Sequence, residues 1–304
     1  MIRVGFLVTY SNEWIGGVNY LRNLHYAISV NPENQIKPII FMGLIVDSGI
    51  RKTLETYAEI VQVPVLTKKS LSWFIWKITK KIFGTDVWLE YVLRQFNVDV
   101  FSHSDLQHTL RVKKVNWIPD FQHLHLPFMF SNKEIKSRNK AFKKIAIAAD
   151  RIILSSKDAE NDLRKFIPKV AQKVRVLHFV AQPNRELMKD DLNRENDVLE
   201  KFEINEPFFY LPNQFWKHKN HKIVFEALVK LKEYGVEPLL VCSGQASDYR
   251  NQEHFDDLRR FIEVSKTRVR FLGLIEYDDV VILIKKSLAV INPSLFEGNL
   301  AETL

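Results

Sequence analysis

The chain has 304 residues, 46% of them hydrophobic and 26% charged, with 10 Gly, 11 Pro and a formal net charge of +8. That length accommodates two ordinary domains, and the composition excludes a disordered, fibrous or disulfide-built protein, since Cys242 is the single cysteine. The start, MIRVGFLVTY, lacks the pattern of a secretory signal, and no uncharged apolar run reaches the roughly 20 residues that span a bilayer, so a cytoplasmic protein is expected.

Short apolar, β-branched runs alternate with longer helical patterns. Strands are expected at 2–8, 36–41, 61–66, 99–102, 114–118, 151–154 and 174–177, and helices at 18–29, 71–96, 133–149 and 157–166. A polar break covers 182–205 and ends at Glu206-Pro207. The alternation then restarts, with strands at 208–211, 237–242, 269–272 and 288–292 and helices at 219–234, 251–264 and 277–286. Two such series predict an α/β protein of two doubly wound, Rossmann-like domains, 1–185 and 206–304, each with a parallel sheet. Cys242, inside an apolar run, is expected to be a buried thiol.

The positive charge is uneven. Residues 133–144 hold six Lys or Arg against one Glu, and 68–81 hold five Lys and no acid, around the bulky apolar LSWFIWKITKKIF. Such a face suits an anionic membrane surface or a phosphate-bearing substrate; the competing reading is a solvated basic helix whose Trp and Phe pack into their own domain. Nucleic acid is not expected as a partner, since no recognition motif accompanies the charge.

In open parallel sheets, ligands sit beyond the carboxyl ends of the strands, so the loops there are where chemistry is sought. The first loop leads to Gly16-Gly17, before an amphipathic helix whose free amides would suit an anion; a simple turn fits equally well. It lacks the three-glycine dinucleotide fingerprint, which argues against a nicotinamide-dependent dehydrogenase. The second loop, VNWIPDFQHLHLPFMFS, gathers Asp120, His123 and His125 within six residues, suited to acid–base work or to holding hydroxyls. The alternative there is packing among Phe121, Leu124 and Phe128, and no further ligand set at metal-binding spacing is present.

The third loop, LPNQFWKHKNH, is basic and amide-rich. Asn213, Gln214, Lys217, His218, Lys219 and His221 lead into a helix, a plausible diphosphate cradle or a solvated cap. The fourth, INPSLFEG, offers the Glu297 carboxylate to sugar hydroxyls, with Gly298 allowing close backbone approach.

With IGGVNYLRNL, WIPDFQHLHLP, LSSKDAENDL, LPNQFWKHKNH and INPSLFEG in hand, the chain resembles the family-4 glycosyltransferases. These are retaining enzymes of the GT-B fold, two facing Rossmann-like domains, that move a sugar from a nucleotide diphosphate. The resemblance covers the whole chain, and PSLFEG, similar to the start of the family's E-x7-E signature, is its most specific part. It implies that Gly16 and Gly17 border the donor diphosphate and that Asn213, Gln214, Lys217, Lys219 and Gly298 lie on the donor. Glu297 matches the first signature glutamate, and Asp120 and His123 fall where the family keeps a residue near the reacting carbon. Gln214 stands where the family has Arg, so one charge of its diphosphate pair is missing.

The second signature glutamate would fall at position 305, one past Leu304, and Glu302 is off register. The resemblance therefore implies a truncated chain with an incomplete second domain. No cofactor or metal is expected beyond a UDP- or GDP-linked donor. The acceptor is expected to be a glycan or lipid-linked molecule in surface polysaccharide or lipopolysaccharide assembly, met by a cytoplasmic protein peripheral on the inner membrane. The competing reading is a non-catalytic relative that binds a nucleotide sugar or a partner protein.

Overall fold

A computed structural model describes residues 1–8, 15–46, 48–83, 86–107, 111–180, 187, 189–246, 248 and 250–297. The chain divides into two compact units at Ala181/Gln182, the second ending at Glu297.

In the first unit the strands are β1 (Ile2–Val8), β2 (Ile36–Met42), β3 (Glu59–Gln62), β4 (Val100–Ser104), β5 (Lys113–Ile118), β6 (Arg151–Leu154) and β7 (Val174–Val176). They form one parallel seven-stranded sheet in the order β3-β2-β1-β4-β5-β6-β7. The chain winds outward from β1 to β3, then returns beyond β1 to begin β4. The order therefore reverses between β1 and β4, which opens a crevice at their carboxyl ends.

Strand periodicity assigns the faces. On β2, Ile40 and Met42 meet α1 (Ile15–Val30) and α2 (Ser48–Glu55) through Leu21 and Leu54. Ile39 and Phe41 point the other way, to α3 (Leu71–Phe83) and α4 (Val87–Gln95), where Trp76, Leu89 and Leu93 cover them. The second face continues with the short α5 (Gln122–His125), α6 (Asn132–Ala148) and α7 (Lys157–Phe166), whose Ile145, Ala146 and Leu163 pack on Ile118, Ile152 and Leu154.

In the second unit, β8 (Phe208–Leu211), β9 (Leu239–Cys242), β10 (Val269–Phe271) and β11 (Ala289–Val290) form a parallel four-stranded sheet, β10-β9-β8-β11. Its order reverses between β8 and β11. Leu211 and Cys242 face α9 (His221–Glu233) and α10 (His254–Ser265), while Phe208 and Tyr210 face α8 (Leu192–Lys201) and α11 (Tyr277–Lys286). Cys242 is fully buried, and burial pushes its thiol well above the ordinary range.

Three expectations are corrected. The helix expected over 71–96 is two helices: Asp86 caps α4, Oδ1 accepting the Leu89 amide at 3.1 Å and the Trp76 indole N–H at 2.6 Å. The strand expected at 61–66 ends at Gln62, because Pro64 cannot donate to a ladder and instead starts a 3-10 turn, Pro64–Leu66. The polar break contains α8, which presents few apolar residues and is held to α11 by ion pairs. Arg194 meets Asp278 at 2.9 Å, Lys201 meets Asp279 at 2.7 Å, and Glu195 joins Lys285 and Lys286 at 2.6 and 3.2 Å.

Candidate functional site

The reversal point of the second sheet gathers the third and fourth loops of the sequence. After Leu211 the chain runs through Asn213 and Gln214 to a 3-10 turn, Lys217–Lys219; after Val290 it runs to Glu297. Because β8 and β11 are neighbours, the two loops leave the same edge side by side and are stitched together. Lys219 Nζ donates to Glu297 Oε1 in an ion pair with both side chains mostly buried. The Leu295 amide donates to the His218 carbonyl at 2.9 Å, the Asn220 amide side chain to the Pro293 carbonyl at 3.2 Å, and Asn213 Nδ2 to Asn292 Oδ1 at 3.2 Å.

Asn220 sits in the left-handed region, φ 57°, where Asn is tolerated, and starts α9 without a side-chain cap. Its side chain accepts none of the first-turn N–H groups; the Ile223 amide bonds to the Asn220 carbonyl at 3.2 Å, and the positive end of the helix stays available to an anion. Lys219 is thus held beside an uncapped helix start.

The imidazoles here are not acids. His218 and His221 are buried, and burial lowers each to about 4, with Lys219 adding to the effect on His218 and the Asn213 backbone opposing it on His221. His221 stacks on Phe215 at 4.5 Å between centroids. At neutral pH the positive charge of these loops therefore comes from lysine and not from the buried histidines.

A neighbouring cleft of 530 Å³ is lined by Lys217, Arg250, Asn251, Gln252, Glu253, His254 and Asp257. Asp248 organises its wall, accepting the Lys217 amide at 3.1 Å, the Arg250 amide at 2.9 Å and the Asn251 side chain at 3.2 Å. Burial opposes ionisation of Asp248, but these bonds outweigh it and hold the carboxyl below its usual range. Asp248, Arg250 and His254 were missed from sequence; the loop after β9, SGQASDYRNQEH, would have exposed them had it been treated like the other loops following strands.

In the first unit the expected cluster does not converge. Asp120 Oδ1 accepts the Gln122 amide at 2.9 Å and shapes the turn into α5. His123 turns inward, 1% exposed, edge-on to Phe142 at 5.2 Å, with Nε2 3.0 Å from Asn139 Oδ1. Its buried Nδ1 meets no partner among the described residues, and burial lowers its pKa. His125 points outward to Asp162 at 2.7 Å. Leu124 and Phe128 are exposed, so the packing alternative holds for His123 and Phe121 only.

Gly16 and Gly17 lie within the first turn of α1, inside the helix and not before it. The reversal point of this sheet carries a group absent from the sequence reading. His103 at the end of β4 is buried at φ 53°, its Nε2 2.6 Å from the Tyr20 hydroxyl of α1 and its Nδ1 2.9 Å from Ser102 Oγ. Tyr20 stacks on Trp117 at 4.6 Å. The polar SHSD that ends an apolar strand was the available signal. Gly298 lies outside the described residues. Among those described, no cluster of three or more His, Cys, Asp or Glu is arranged to hold a metal, and no helix is long and apolar enough to cross a membrane.

No protein-family model matches the chain, and no curated protein matches it by sequence. Solved structures do match. A glycosyltransferase from Rickettsia africae ESF-5 aligns over 96% of this chain and 73% of its own, with a TM-score of 0.62 and 15% identity. Anabaena Alr3699/HepE, solved with UDP and glucose, aligns over 97% and 74%, with a TM-score of 0.66 and 15% identity. WaaG, a glycosyltransferase involved in lipopolysaccharide biosynthesis, aligns over 97% and 76%, with a TM-score of 0.60 and 14% identity.

The fold is the GT-B fold. At such identities the likeness is one of architecture, two Rossmann-like parallel units. In this GT-B chain the Lys219–Glu297 pair occupies the reversal point of the second sheet, the general position of ligands in open α/β sheets.

Proposed function

We propose that the chain transfers a sugar from a UDP- or GDP-linked donor to a glycan or lipid-linked acceptor, with retention, in surface polysaccharide or lipopolysaccharide assembly at the inner face of the membrane. The observation that carries this reading is Lys219, paired with Glu297 at the reversal point and beside an uncapped helix start. A diphosphate would exchange Glu297 for its own oxygens at Lys219 and take amide hydrogen bonds from the start of α9. Glu297, released, would accept hydroxyls of the donor sugar. Lys217 and Arg250, on the adjoining cleft, supply positive charge that Gln214 does not.

In the reaction the bond from the anomeric carbon to the diphosphate oxygen breaks, and a bond from the same face to the acceptor oxygen forms. The acceptor's proton passes to the departing diphosphate. Residues of this chain contribute placement and charge stabilisation, so catalysis is mainly electrostatic. Asp120 and His123 are assigned near the reacting carbon by resemblance, Asp120 being the more accessible of the two. Gly16, Gly17 and Gly298 would border the donor, and Asn213 and Gln214 would flank it with amides.

That HepE was solved with UDP and glucose, and that WaaG works in lipopolysaccharide biosynthesis, supports the donor and the pathway class. The second reading, nucleotide-sugar binding without transfer, is favoured by Gln214 at the position of the family's Arg. Calorimetry with UDP and GDP, followed by nucleotide release from a panel of UDP- and GDP-sugars, separates them. Binding with release supports transfer, binding without release supports the second reading, and binding of neither nucleotide overturns both.

A further inference from the structure

Helix α3 is anchored on one side and bare on another. Trp76 packs over the core beside Leu89 and Phe101, and its indole bonds to Asp86. At about 100° per residue, Leu71, Phe74, Ile75, Ile78 and Ile82 fall in one stripe pointing away from Trp76. All five are exposed, Leu71 by 78%, Ile78 by 58% and Ile82 by 70%. Trp88 and Tyr91 on the following helix are exposed as well. The competing expectation, a solvated basic helix whose Trp and Phe pack into their own domain, thus holds for Trp76 and fails for Phe74, and the aliphatic stripe lies outside it.

The flanks specify what covers it. Lys68, Lys69 and Lys77 are exposed, and no acidic residue occurs between 68 and 81. Helix α6, on the same side of the sheet as α3, exposes Lys133, Lys136, Lys140, Lys143 and Lys144. A protein partner would have to be both apolar and acidic; an anionic bilayer offers both properties at every point of its surface. The 13 residues of α3 are too few to span a bilayer, which needs about 20, but enough to lie along one.

We propose that α3 docks the chain on an anionic membrane surface, its aliphatic stripe set into the headgroup–acyl boundary and the neighbouring lysines on lipid phosphates. This deepens the reading of a lipid-linked acceptor, but its test involves no turnover, so either can fail alone.

The test is flotation of the full chain with vesicles of phosphatidylglycerol and phosphatidylethanolamine, against pure phosphatidylcholine. The wild type is expected to float with the anionic vesicles at least about tenfold more than with the neutral ones, and to detach partly at high salt. Ile78→Asp with Ile82→Asp should lower partitioning about tenfold or more with the melting temperature unchanged. Lys77→Glu, at an exposed side chain whose ammonium lies 3.9 Å from the centre of the Trp73 ring, should lower it several-fold on anionic vesicles only, with the melting temperature compared alongside. Absence of wild-type flotation overturns the proposal, as does equal flotation of all three proteins. So does a concentration-dependent dimer that Ile78→Asp dissociates, since a second copy would then be what covers the stripe.

Discussion

Lys219 and Glu297, 78 residues apart in sequence, are joined as an ion pair across the two loops that leave the adjacent strands β8 and β11. Neither loop alone makes a site: one brings a cation to a helix start, the other a carboxylate, and parallel strand order makes them neighbours. Each satisfies the other, which keeps two mostly buried charges from standing unpaired.

Removal of the cation should be felt by the diphosphate. Lys219→Ala is expected to weaken UDP or GDP binding about ten- to hundredfold, the equivalent of one charge-assisted hydrogen bond of about 1.5–3 kcal/mol. Lys68→Ala, on the first unit, should leave it unchanged. Equal losses at the two sites by calorimetry would remove the diphosphate assignment.

The carboxylate has a different expected signature. Glu297→Gln frees Lys219 from its intramolecular partner, so affinity for the bare nucleotide should hold or rise by about fivefold, the worth of a partly screened ion pair. On the proposed role of Glu297 as acceptor of the sugar hydroxyls, sugar release should nonetheless fall. A parallel drop in nucleotide affinity would contradict competition between Glu297 and the diphosphate.

The parallel sheets were legible because short, near-continuous apolar runs bounded by turn residues and alternating with helical patterns leave little choice, and β1, β6, β8, α7 and α11 coincide with their expected limits. Lys219 and Glu297 were legible because loops after strands can be read without coordinates, but their pairing depends on β11 lying beside β8, which no local pattern encodes. α8 escaped because ion pairs, and only slight apolar burial, hold it to α11. His103 escaped because its importance lies in a left-handed backbone and a distant Tyr20, both invisible in SHSD.

Gly244 supports the site from beneath. Its φ of +150° favours glycine, and a Cβ there would run into the carbonyl of Asn213, at the root of the lysine loop. Gly244→Ala is expected to destabilise the second unit by about 2 kcal/mol or more and to disturb nucleotide binding. Gly235→Ala, at φ +75° with open space around the added carbon, should cost about 1 kcal/mol and leave binding intact. Denaturant midpoints of the two variants provide the comparison, and similar values would mean that Asn213 yields readily.

Acid should unfold this protein early, and the buried imidazoles set the window. His25 and His221 are lowered from 6.5 to about 4, and His103 to about 3, chiefly by burial. The unfolded chain then takes up protons near pH 6.5 while the folded chain resists until about pH 4. Stability is fully present above about 6.5 and falls as pH drops through that interval, by up to on the order of 3 kcal/mol for each such histidine. His221→Phe, which keeps an aromatic ring against Phe215, should flatten part of that acid limb while changing the midpoint at pH 8 much less. A melting temperature constant from pH 7 to 4.5 in the wild type would show that these rings are already charged, or reach water, in the native state.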